Sequence, residues 1–270
     1  MRIAFIGCGN MGEAMMSAVL GQSVFAPDEI CACDIDRARL KTIGGRYKVS
    51  CNSDINSAIN DSEIVVLSIK PQVLGKVMKE LKGKLKEQQL VVSIVAGAKL
   101  DTIVKGLGHD RVVRVMPNTP AQVGAGMSVW TTTGAAGQEQ KDMAQTILRA
   151  MGKDIYFSDE QYIDMATAIS GSGPAYIFLI MEALIDAAVH IGLPREEAGK
   201  LVIQTVLGSA RIAEESGKHL AQLRNMVTSP GGTTAEGLQC LEEGGMRAII
   251  AQAVIAAYEK AGLLGSAGNK

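Results

Sequence analysis

The stretch Ile3-Ala4-Phe5-Ile6-Gly7-Cys8-Gly9-Asn10-Met11-Gly12 decides the fold. A short apolar run passes into Gly-x-Gly-x-x-Gly, and an Ala/Met/Val/Leu pattern of helical period follows from Asn10 to Leu20. This is the strand, glycine turn, helix order of a dinucleotide site. Gly7 permits the tight turn, Gly9 lets the backbone approach a pyrophosphate on the helix N-terminus, and Gly12 allows close contact between helix and strand. Glycine-rich turns also close loops with no ligand, so the spacing alone is weak. Asp34 strengthens it, ending the apolar run Ile30-Cys31-Ala32-Cys33 roughly 20 residues on, where a carboxylate accepts hydrogen bonds from the adenine ribose. A carboxylate there also repels the extra phosphate of NADP, which favours NADH. Arg37 and Arg39 follow closely, and a guanidinium near the ribose accommodates that phosphate, so NADPH stays open.

Working outward, apolar runs at 2–6, 30–34, 64–68, 90–95 and 112–116 read as strands, with further candidates at 127–131 and 154–157. Helical patterns separate the first five, among them 10–20, 53–60, 73–81 and 100–107. That alternation predicts parallel crossovers and an α/β, Rossmann-like doubly wound sheet over residues 1–157. Beyond Phe157 the pattern is helical and punctuated by Gly and Pro, with helices expected at 159–169, 174–191, 195–216, 219–227, 233–243 and 246–261. Residues 158–270 are therefore expected to form an all-helical substrate-binding and dimerisation domain. Several of its helices, notably 174–191 and 246–264, lack a clean polar face, so a second copy is expected to cover them in a homodimer or higher oligomer.

The segment from Pro174 to Leu193 is long and apolar enough to resemble a membrane span. Glu182, Asp186 and His190 nevertheless recur at helical spacing along it, which suits a helix between protein layers better than one in lipid. The stripe reads as structural rather than catalytic. Lys plus Arg number 27 against 28 for Asp plus Glu, which argues against a nucleic-acid partner. The 47% hydrophobic and 20% charged content is that of a globular chain. Cys8, Cys31, Cys33, Cys51 and Cys240 show no metal or redox spacing, nor do the three His, so no metal site is expected. The first strand begins directly after Met1, so the chain is expected to be cytoplasmic, with no membrane partner.

The run Val227-Thr228-Ser229-Pro230-Gly231-Gly232-Thr233-Thr234 breaks one helix and opens another. The amides and hydroxyls of Ser229 and of Gly231 to Thr234 can converge on an anion such as a carboxylate. The same chemistry describes an ordinary helix cap, and local sequence leaves both readings open.

GCGNMG at 7–12, SIKPQ at 68–72, RVMPNTPA at 114–121, SGSGPAY at 170–176 and TSPGGTT at 228–234 occur in one order over almost the whole chain. Together they resemble pyrroline-5-carboxylate reductase. The resemblance implies hydride transfer from NADH or NADPH to the imine carbon of 1-pyrroline-5-carboxylate, the last step of proline biosynthesis. It implies a dinucleotide held by Gly7, Gly9, Asn10, Met11, Gly12, Asp34, Asn52, Ser68, Lys70, Pro71, Val95, Ala96 and Gly97. Met116, Pro117 and Asn118 would lie near the nicotinamide, with Asn118 also toward the substrate. Ser229, Gly231, Gly232, Thr233 and Thr234 would hold the substrate, with Thr234 nearest the ring nitrogen as the candidate catalytic residue. Many family members carry small polar residues in place of Asp34, a departure that bears on the coenzyme and not on the reaction.

The chemistry asks little of the protein. A protonated imine already carries the charge that makes its carbon accept hydride, so orientation and electrostatic fit supply most of the catalysis. A 3-hydroxyacid dehydrogenase would need a base, and residues 170–185 contain no Lys. A non-catalytic NAD(H)-sensing module would need no anion-receiving turn late in the chain.

Overall fold

The computed structural model describes residues 1–267. Eight strands form one sheet: β1 (Ile3–Ile6), β2 (Ile30–Cys33), β3 (Ser50–Asn52), β4 (Ile64–Leu67), β5 (Leu90–Ser93), β6 (Val112–Met116), β7 (Gly126–Thr132) and β8 (Gly152–Tyr156), in the order β3-β2-β1-β4-β5-β6-β7-β8. Helices α1 (Asn10–Gly21), α2 (Arg37–Tyr47), α3 (Ile55–Asn60), α4 (Pro71–Leu81), α5 (Leu100–Leu107) and α6 (Gln138–Ala150) connect them. β1, β4 and β5 are buried along their whole length, as sheets covered on both faces require.

Because side chains alternate across a strand, β1 serves two cores. Ile3 and Phe5 join Met15, Met16, Ile43, Ile147 and Leu148 from α1, α2 and α6. Ala4 and Ile6 join Ile59, Leu74, Ile103 and Leu107 from α3, α4 and α5. The strand order reverses at β1, with β2 on one side and β4 on the other, and Ile6 lies opposite both Cys33 and Leu67. That register brings the residues that follow, Gly7, Asp34 and Ser68, to one edge, at the crevice where doubly wound sheets bind ligands.

Three features depart from the expected pattern. β3 has only three residues, Ser50, Cys51 and Asn52, too short and polar to carry a strand signal. β7 runs antiparallel to β6. The link between them is a 3-10 turn at Thr119–Val123, and parallel pairing would need a crossover of a dozen or more residues. β8 then returns parallel to β7 through α6. Finally, α7 (Gln161–Ala166) runs on into a π-helical turn at Thr167–Gly171. A Cβ on Gly171 would come within 2.7 Å of Met116 Cε, so this glycine permits the turn to sit against the end of β6.

The chain divides into two compact units, residues 1–172 with the chain from Ala257 onward, and residues 173–256. The second contains α8 (Gly173–His190), α9 (Arg195–Ser216), α10 (Leu220–Met226), α11 (Thr233–Glu243) and most of α12 (Met246–Ala267). Within it α8 and α9 pack on one another, and Asp186 of the polar stripe pairs with Arg195 at 2.7 Å. Ile177, Phe178, Leu179, Leu201, Ile203 and Leu207 nonetheless stay exposed. Residues 161–190 are long and apolar enough, by length and composition alone, to cross a membrane.

Candidate active site

The glycine turn is held from both neighbouring strands. Gly7 adopts φ +97°, a conformation that favours glycine, and its amide donates to the Cys33 carbonyl at 2.8 Å. Ser68 Oγ donates to the Gly7 carbonyl at 2.7 Å. A Cβ on Gly7 would meet the Ser68 carbonyl oxygen at 2.6 Å, and one on Gly12 would collide with the Gly7 carbonyl and lie 2.9 Å from Ser68 Oγ. Gly9 differs, since a Cβ there would meet nothing within 4 Å. Gly9 caps α1 with no side-chain bond, and among the described residues the amides of Gly9, Asn10 and Met11 have no hydrogen-bond partner. By contrast α2 and α3 are capped by Asp36 and Asp54. An uncapped helix start beside open space fits a dinucleotide pyrophosphate.

Asp34 occupies the expected strand end, with its carboxylate tied into the loop. Oδ2 accepts the Cys8 amide at 2.7 Å and Oδ1 the Asp36 amide at 3.0 Å. Each oxygen keeps a further lone pair, so a ribose hydroxyl can still be accepted. Arg39 is committed elsewhere: Nε donates to the Cys8 carbonyl at 2.6 Å and Nη2 pairs with Glu13. Arg46 Nη1 and the Tyr47 hydroxyl complete the Glu13 cluster at 3.0 Å each. Burial opposes ionisation of Glu13, but the hydrogen bonds from Arg39 and Tyr47 and the two positive charges outweigh it and hold its carboxyl below the usual range. Burial first, and then the Asp34 charge, pushes the Cys8 thiol up to about 12, so it is no nucleophile. Sequence reasoning missed the Arg39 contact with Cys8 and Glu13.

Along the same sheet edge, Asn52 Oδ1 accepts the Asp54 amide at 3.0 Å, an Asx turn leading into α3. Lys70 caps α4 without a side-chain bond, and Pro71 takes the first helical position. Val95 is buried, and Gly97 turns the chain at φ +74°. Asn118 Oδ1 accepts the Met127 amide at 2.8 Å, so its carbonyl fastens the start of β7. Behind this edge, buried Arg114 donates to Glu160 at 2.7 Å and to Asp164 at 2.5 Å. Glu160 also accepts the Leu100 amide at 2.7 Å, so one ion cluster joins β6, α5 and the approach to α7.

In the helical unit, α11 begins after Gly232 and has no side-chain cap. The Thr228 hydroxyl donates to the Arg224 carbonyl at 2.7 Å, and the Gly232 amide to the Ser229 carbonyl at 3.1 Å. Among the described residues the amides of Gly231, Thr233 and Thr234 have no hydrogen-bond partner. Gly231 turns the chain at φ +67°, and Gly232 packs so tightly on Ser229 that a Cβ would lie 3.2 Å from its carbonyl. The ordinary cap that local sequence allowed is thus not made, and a helix start with free amides favours negative charge.

Residues 160–264 match the family model described as pyrroline-5-carboxylate reductase dimerisation, and residues 2–97 match one described as NADP oxidoreductase, coenzyme F420-dependent. A pyrroline-5-carboxylate reductase of Arabidopsis thaliana is 41% identical over 259 residues, covering 96% of this chain and 94% of its own length. That of Escherichia coli is 37% identical over 260 residues, 96% of each chain. The solved pyrroline-5-carboxylate reductase from Coxiella burnetii superposes with a TM-score of 0.91 at 40% identity, over 97% of this chain and 98% of its own. A Plasmodium falciparum pyrroline carboxylate reductase solved with NADP bound gives a TM-score of 0.90 at 31% identity, over 98% of both chains.

Proposed function

The chain belongs to the pyrroline-5-carboxylate reductase family, and on that premise we propose how its residues share the reduction of 1-pyrroline-5-carboxylate to proline by NAD(P)H. Family membership displaces both the 3-hydroxyacid dehydrogenase and the NAD(H)-sensor alternatives. Residues 1–157 hold the dinucleotide, and residues 158–270, of which 268–270 lie outside the described residues, hold the substrate and the second copy.

Gly7, Gly9, Asn10, Met11 and Gly12 form the pyrophosphate turn, in which Gly9 faces open space and, among the described residues, the amides of Gly9, Asn10 and Met11 have no hydrogen-bond partner. Asp34 and Asn52 are assigned to the adenine ribose, and Ser68, Lys70 and Pro71 to the groove wall. Val95, Ala96 and Gly97 support the nicotinamide, with Met116, Pro117 and the Asn118 NH2 group beside it. When bound, the dinucleotide supplies the hydride that reduces the imine carbon. Asp34 favours NADH, since its carboxylate accepts from ribose hydroxyls and repels a 2'-phosphate.

Ser229, Gly231, Gly232 and Thr233 receive the substrate carboxylate at the start of α11, and Thr234 holds the ring nitrogen. The single observation that carries this assignment is the set of unpaired amides at Gly231, Thr233 and Thr234. A hydroxyl at its ordinary pKa is a poor acid, so Thr234 orients the nitrogen and accepts or donates a hydrogen bond as the amine forms. No stronger acid is needed for a substrate that arrives as its iminium ion.

The chain assembles as a homo-oligomer, the exposed apolar residues of α8 and α9 being covered by a second copy. All five Cys are free thiols, which suits a reducing cytoplasm. A net charge of -1 suits neither nucleic acid nor an anionic membrane surface as partner. The test is NADH oxidation followed by absorbance with and without 1-pyrroline-5-carboxylate, with proline quantified as product. Consumption that depends on the imine and matches proline formed is expected; consumption indifferent to the imine contradicts the assignment.

A further inference from the structure

Cys8 lies between the first two glycines of the loop, and both polar groups of its backbone are held, one by the residue that follows β2 and the other from the first turn of α2. Its amide donates to Asp34 Oδ2 at 2.7 Å, and its carbonyl accepts from Arg39 Nε at 2.6 Å. Arg39 Nη2 is paired with Glu13, one turn into α1, and Glu13 is itself braced at 3.0 Å by Arg46 and by Tyr47. The guanidinium therefore bridges the residue before Gly9 and the first turn of α1. Between these anchors lie the amides of Gly9, Asn10 and Met11, which have no hydrogen-bond partner among the described residues.

The geometry of the peptide bond gives this bridge a consequence. The Cys8 carbonyl and the Gly9 N–H belong to one planar trans unit and point in opposite directions. Holding the carbonyl toward α2 turns the Gly9 amide away from it, and a residue with both polar groups tied cannot rotate its peptides freely. Glycines on either side would otherwise leave that rotation nearly unhindered.

We propose that Arg39 is a positioning residue for dinucleotide binding, fixing the Cys8–Gly9 peptide so that the loop amides are preset for the pyrophosphate. The proposal rests on the reading that this loop receives the dinucleotide. Since the pyrophosphate is common to both coenzymes, Arg39 acts equally on NADH and NADPH, unlike a residue that touches a 2'-phosphate. The role needs two donors in a rigid fork, one for the Cys8 carbonyl and one for Glu13, which the point charge of lysine does not provide.

The test measures calorimetric Kd values for NADH and NADPH on the intact oligomer, beside steady-state kinetics and melting temperature, for Arg39→Met, Arg39→Lys, Glu13→Gln and Gly9→Ala. Arg39→Met is expected to weaken both coenzymes by the same factor, about tenfold for a lost charge-assisted hydrogen bond. The KM for the imine, the kcat at saturating coenzyme and the melting temperature should stay near wild type. Arg39→Lys should weaken binding nearly as much, and Glu13→Gln less, again equally for the two coenzymes. Unchanged Kd values, a loss confined to NADPH, full function in Arg39→Lys, or a joint fall of kcat, both KM values and melting temperature would each overturn the proposal. Gly9→Ala separates the two levels. If it leaves the Kd values unchanged, the loop reading itself fails; if it weakens them while Arg39→Met does not, only the role of Arg39 is rejected.

Discussion

The carboxylate of Asp34 and the backbone amide of Cys8 are joined by a 2.7 Å hydrogen bond, so the acidic residue at the end of β2 is a strut of the glycine loop as well as a candidate ribose ligand. Asp34→Ser removes both the strut and the charge that repels a 2'-phosphate. Affinity for NADH should fall more than affinity for NADPH, narrowing or reversing the preference. The ratio of kcat/KM for the two coenzymes is the measurement, and an unchanged ratio would remove the ribose contact from the account.

The second and third glycines of the signature predict opposite behaviours. A methyl at Gly9 enters open space, whereas one at Gly12 collides with the Gly7 carbonyl. Gly9→Ala should therefore keep the melting temperature and lose coenzyme affinity by tenfold or more, an order-of-magnitude expectation for a blocked contact with the pyrophosphate. Gly12→Ala should instead lower stability, by about 1–3 kcal/mol if the strain is that of an overpacked core. Melting curves beside coenzyme titrations distinguish the two.

This contrast shows what a sequence can carry. The strand, Gly7 to Gly12 and α1 were legible because each glycine answers a local demand of backbone geometry. β3 was not, because Ser50, Cys51 and Asn52 owe their strand state to pairing with β2 alone. The direction of β7 was hidden in a loop too short for a crossover. Arg39 read as a possible phosphate ligand because its partners, the Cys8 carbonyl and Glu13, are close only in the folded chain. At TSPGGTT the sequence allowed either a cap or an anion site; Gly232 occupies the cap position and supplies no side-chain oxygen, so the Ser or Thr cap is not made.

Arg114 is buried to 3% side-chain exposure and serves two carboxylates, Glu160 and Asp164. Arg114→Met leaves both without their cation, and breaking such a buried cluster costs about 3–5 kcal/mol. Urea unfolding at neutral pH should show a fall in unfolding free energy of that size. A shift of less than about 1 kcal/mol would mean the cluster is worth no more than a surface ion pair.

Thr234→Ala should lower kcat/KM for the imine while leaving dinucleotide Kd nearly intact, because the hydroxyl is assigned to the ring nitrogen and not to the coenzyme. Loss of one hydrogen bond to a charged group corresponds to about tenfold or more in kcat/KM. Equal loss of coenzyme affinity would show that the substitution harms the fold instead.

The central claim is that the unpaired amides at the start of α11 grip a carboxylate, and the most direct measurement compares kcat/KM for 1-pyrroline-5-carboxylate with that for 1-pyrroline, the same ring without the acid. The account predicts that the carboxylated imine is reduced roughly tenfold to hundredfold more efficiently, the range expected for hydrogen bonds to a charged group. Equal efficiency on the two imines would contradict it.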